Sequence, residues 1–175
     1  MNTEAKIIAG ILGASVLIVI GAAVINGGGA KTQSTAASQS VPTQEIQGLT
    51  SSPQPFTLGN VPINSGVAKF SFKLLNENNQ PLKLIRISTS CMCTLAAVRA
   101  GETKTDYFGM DMHGAGNPKI DFTIPAGSES ELLVTFDPAA HGPQGVGAFD
   151  RSIRLEFSDP AGYKDIAFNG TVVNN

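Results

Sequence analysis

From Phe56 onward the apolar residues recur with a step of two. Ala68, Phe70, Phe72 and Leu74 alternate with Lys69, Ser71 and Lys73. Leu132, Val134 and Phe136 alternate with Leu133 and Thr135, and Ile153, Leu155 and Phe157 with Arg154 and Glu156, while Ile166, Phe168 and Val172 close the series. Successive side chains of a strand point to opposite faces, so this spacing predicts strands with one face on a core and the other in water. Between the runs stand Asn76 to Pro81, Pro125 to Gly127 and Asp159 to Gly162, rich in residues that preset or tolerate turn dihedrals. Short amphipathic strands over the 118 residues from Phe56 to Val173 bury their apolar faces only against one another. The expected architecture is therefore an all-β, immunoglobulin-like antiparallel sandwich, without the Trp and inter-sheet cysteine pair of antibody domains.

A different pattern precedes it. Ile7 to Ile25 is uncharged, and 19 residues at about 1.5 Å each match the bilayer's hydrocarbon thickness. One transmembrane helix is expected over 7–25, retained as a signal anchor because a cleaved signal peptide has a shorter apolar core. Residues 1–6 then form a short cytoplasmic tail, and everything after the span lies on the extracytoplasmic side. In residues 26–55, 25 of the 30 are Gly, Ala, Ser, Thr, Gln, Asn or Pro. Such a stretch buries too little apolar area to offset its ordering entropy, so a flexible linker is expected there, with a short contact at Ile46 and Leu49. As a coil it would hold the domain on the order of 30 Å from the membrane. The folded domain is expected over 56–175.

Composition narrows the function. A net charge of −2 gives no basic field, which argues against a nucleic-acid partner. Asp106, Asp111 and Asp121 flank a loop, but no nucleophile or general base accompanies them, and an enzyme is not expected. Two cysteines one residue apart cannot form a disulfide framework, so the core must hold the fold. Arg151, Arg154 and Glu156 read as solvated strand residues.

Three segments together carry a resemblance: Leu82 to Thr94, with its Ser-Cys-Met-Cys-Thr ending; Ile124-Pro-Ala-Gly-Ser128 running on to Val134-Thr-Phe-Asp-Pro138; and His141 to Gly147. They resemble the bacterial domain of unknown function 1573, a family similar to the Hydin/ASH-like immunoglobulin-type domains. The resemblance covers nearly the whole domain and implies binding or scaffolding rather than catalysis; an envelope protein is the alternative partner to a metal for a domain expected on the extracytoplasmic side.

The chain departs from a plain sandwich by an insertion, Ala100 to Asn117. Apart from Met1, every Met (Met92, Met110 and Met112), both Cys and His113 fall between positions 91 and 113, and His141 follows the Phe-Asp-Pro corner. Thiolate, thioether and imidazole select copper(I), and less strongly zinc, over hard cations. A metal set of Cys91, Cys93, Met110, Met112, His113 and His141 is the resulting expectation, with the cysteines on one face of an extended strand and the Gly109 to Gly114 loop folding back onto them. Two alternatives stay open. Met and Cys also fill cores without any metal, and Cys91 and Cys93 can form a disulfide, which would suit thiol–disulfide exchange. His141 can equally serve only its turn.

Overall fold

The computed structural model describes residues 43–111 and 116–174. The transmembrane span expected at 7–25, most of the linker, Met112 and His113 lie outside the described residues; among the described residues, no helix is long and apolar enough to cross a membrane.

Ten strands follow one another: β1 (Leu49–Ser52), β2 (Thr57–Pro62), β3 (Ala68–Asn76), β4 (Leu82–Thr89), β5 (Thr94–Ala100), β6 (Thr103–Lys104), β7 (Phe122–Ile124), β8 (Glu129–Phe136), β9 (Gly147–Asp159) and β10 (Ala161–Val173). They form two five-stranded sheets, in the orders β1-β3-β8-β5-β6 and β2-β10-β9-β4-β7. Strands pair antiparallel except β2, which runs parallel to β10. The all-β sandwich expected from the period-two pattern is what forms. Phe72, Leu74, Leu132, Val134, Phe136, Ile153, Leu155, Phe157 and Phe168 are all fully or almost fully buried, within one continuous core.

Three expectations need correction. The short contact expected at Ile46 and Leu49 forms, with Leu49 buried and the Ile46 N–H donating to the Tyr163 carbonyl at 2.8 Å, but the linker around it is more ordered than expected, because Leu49–Ser52 pairs with β3 as strand β1. Two apolar side chains suffice because β3 offers an edge whose backbone groups need partners. The fit is close, since a Cβ on Gly162 would lie 2.7 Å from Ile46 Cδ1 and 2.8 Å from the Gln44 carbonyl. Glu156 is not solvated but only 8% exposed. Its strand is internal to the sheet, and Glu156 lies in register with Arg86 of β4, 3.8 Å from the Arg86 Nε. Finally, Cys91 and Cys93 do not sit in a strand. They occupy the turn that carries the chain from β4 in one sheet to β5 in the other.

Candidate metal centre

The turn is fixed by its neighbours on both sides. The Thr89 hydroxyl donates to the carbonyls of Cys91 and Thr94, both at 3.0 Å, and the Thr94 N–H donates to the Cys91 carbonyl at 3.1 Å. Ser90 ties the turn to β9, donating its N–H to the Ser152 carbonyl and accepting the Ser152 N–H on its hydroxyl, each at 3.0 Å. With the backbone so held, Cys91 and Cys93 are both buried and Met92 between them is 59% exposed.

His141 arrives from fifty residues away because β8 ends beside β5. Thr94 pairs with Phe136, and the next N–H, that of Asp137, donates to the Cys93 carbonyl at 2.9 Å. The Asp137 carboxylate accepts the Ala139 N–H at 2.9 Å, which starts the turn that lifts His141 over the sulfurs. A 3-10 turn over Gly142–Gly145 follows, with Pro143 in its first positions. The exposed imidazole then places Nε2 3.1 Å from Cys91 Sγ. His141 therefore both starts a turn and belongs to the site.

Three ligand atoms, the two sulfurs and one imidazole nitrogen, lie within 4.8 Å of one another. Cys91 and Cys93 are joined as a disulfide, the alternative weighed against free thiolates. Of the six residues expected to converge, these three are the ones shown together. Met110 is half-buried beside Gly109, whose carbonyl accepts from the Thr89 N–H at 3.2 Å and the Asn117 side-chain amide at 2.7 Å. Met112 and His113 lie outside the described residues, so the loop of 109–114 is not shown closing on the sulfurs.

One member of the site has no local signal in the sequence. Arg151, read as a solvated strand residue, donates its Nε–H to Cys93 Sγ at 3.3 Å and a terminal N–H to the Asp150 carbonyl at 2.8 Å. Its guanidinium lies 5.7 Å from the centre of the Phe149 ring, which stacks on Phe136 at 4.5 Å. Among the described residues it has no carboxylate partner, so its charge is directed at the sulfur rather than at an ion pair.

No family model and no curated protein matches the chain. Among solved structures it is similar to a protein of unknown function from Porphyromonas gingivalis W83, at 17% identity and TM-score 0.47, over 66% of this chain and 43% of that one. It is also similar to WR4, an MSP family member of C. elegans, at 13% identity and TM-score 0.38, over 73% and 100% of the two chains. A copper-bound PCuAC domain from PmoF2 shows 16% identity and TM-score 0.31, over 66% and 86%. The chain spans less than half the length of the first of these. At such scores none of them indicates what this chain binds.

Proposed function

We propose that the chain is a membrane-anchored extracytoplasmic binding module, a Hydin/ASH-like immunoglobulin-type sandwich, that holds copper(I) on Cys91, Cys93 and His141 when the cysteines are reduced. The supporting observation is the convergence of two sulfurs and an imidazole nitrogen within 4.8 Å, from turns fifty residues apart. Two thiolates and one imidazole form a soft, low-coordinate set of the kind that selects copper(I). Loading requires a dithiol donor: its two electrons convert the disulfide into two thiols, and the metal then displaces both thiol protons. The binding role, rather than an enzymatic one, rests on this donor set.

The disulfide favours a second reading, in which the cysteines clamp a turn and the domain is a metal-free envelope-protein interaction module. Titration of the reduced full chain with copper(I) against a competing chelator separates the two. One tight equivalent per chain is expected, abolished in the Cys91→Ser, Cys93→Ser double variant. If the reduced wild type holds copper(I) no better than the double variant, the metal reading fails. The anchor has its own test, since a span of this length should resist carbonate extraction from membranes.

A further inference from the structure

We infer that the Cys91–Cys93 bond is arranged for opening by an external dithiol that attacks Cys91, with Cys93 leaving as a thiolate against Arg151. The inference concerns the same sulfurs as the copper site but stands without the metal, because it needs only the disulfide and the placement of one cation.

The two sulfurs have different surroundings. Cys91 Sγ accepts the Cys93 backbone N–H at 3.3 Å and faces His141 Nε2 at 3.1 Å, a contact whose polarity depends on the imidazole tautomer. Cys93 Sγ faces the Arg151 Nε–H at 3.3 Å and the Thr94 hydroxyl at 3.6 Å. A guanidinium is protonated at every accessible pH and can only donate. Thiol–disulfide exchange proceeds fastest through the better leaving sulfur, and a charge-assisted hydrogen bond stabilises a developing thiolate more than a neutral donor does. Cys93 is therefore the leaving sulfur and Cys91 the one attacked. Both cysteines are buried, Cys91 at 7% and Cys93 at 4% exposure, so the assignment rests on the Arg151 contact, and attack on Cys91 requires the exposed His141 to move aside.

In the first step the donor's thiolate forms a bond to Cys91 Sγ and the Cys91–Cys93 bond breaks. The electron pair stays on Cys93, held by the Arg151 N–H. In the second step the donor's other thiolate attacks its own sulfur in the mixed disulfide, and Cys91 leaves as a thiolate that takes a proton from water. The donor is oxidised to a disulfide and the domain is reduced by two electrons. A two-thiol donor on the extracytoplasmic side is thus the implied partner class.

The test uses the full chain in detergent with glutathione as the monothiol probe, under anaerobic conditions, followed by quenching with N-ethylmaleimide. Both cysteines fall in the peptide between Arg86 and Arg99, and fragmentation at Met92 distinguishes them. Glutathione is expected on Cys91 and maleimide on Cys93. Arg151→Gln should slow reduction by dithiothreitol by about tenfold, while Arg151→Lys retains most of the wild-type rate. Glutathione found mainly on Cys93, or shared equally, overturns the inference, as does an unchanged rate in Arg151→Gln. Should Arg151→Gln fail to fold, the adduct position in the wild-type chain decides alone. A chain that opens at Cys91 yet binds no copper(I) removes the metal reading and leaves this one standing; copper(I) binding with the wrong adduct does the reverse.

Discussion

Replacing Asn76 by Ala isolates what holds the end of the sandwich away from the cysteines. Asn76 is fully buried at the close of β3, where its side-chain amide donates to the carbonyls of Gln80 and Pro125 at 3.0 Å and of Ile124 at 3.4 Å. Its side-chain oxygen accepts the backbone N–H of Asn78 at 3.1 Å and the Asn78 amide at 3.0 Å. One side chain thus joins the β3–β4 turn to the β7–β8 turn. A typical net hydrogen bond contributes about 1 kcal/mol, and buried acceptors stripped of their donor cost more than the bond itself. With two or three of these bonds well formed in the interior, the loss should be about 2–4 kcal/mol. For a domain of this size that lowers Tm by roughly 6–15 °C. Thermal unfolding of the full chain in detergent, followed by near-ultraviolet circular dichroism, measures it. Copper(I) affinity at low temperature should stay unchanged, because sites that share no partners act independently. A Tm shift under about 2 °C would refute the accounting, and a large loss of copper(I) affinity would refute the separation of the two ends.

Removing the imidazole with His141→Ala should weaken copper(I) binding by at least about tenfold while leaving the fold intact, since His141 is exposed; chelator competition checks it. Gly162→Val should loosen the segment around Ile46, because the new side chain meets Ile46 and the Gln44 carbonyl, and early proteolysis before Leu49 would report it. The Glu131 carboxyl is held below its ordinary range by a hydrogen bond from Ser71 and by the hydrogen bond and charge of Arg99. A lowered folded value means that its stabilisation is present above the unfolded value, about 4.3, and is lost as pH falls through the folded one. The stability difference between wild type and Glu131→Gln should therefore be constant above about pH 5 and shrink below it; a difference that grows on acidification contradicts the sign.

Much of this protein can be read directly along the chain. Alternation in Ala68 to Leu74, Leu132 to Phe136 and Ile153 to Phe157 is a local property of strands, so the sheets and their buried faces follow from it. Residue chemistry alone likewise offers Cys91, Cys93, Met110, Met112, His113 and His141 as soft and intermediate ligands, without saying which of them meet. The remainder depends on pairing between distant segments. The end of β1 is legible only once β3 presents an open edge to it, and Glu156 becomes a buried partner of Arg86 only through the register of β4 with β9. His141 reaches Cys91 because the chain leaving β8 hydrogen-bonds to Cys93, a pairing that spacing along the chain cannot specify. Arg151 looks like any solvated strand cation in the sequence. It acquires its role when Ser90 binds Ser152 and brings the cysteine turn against β9, because a hydrogen bond to sulfur requires a distance, and distances between remote residues are set by the packing of the two sheets.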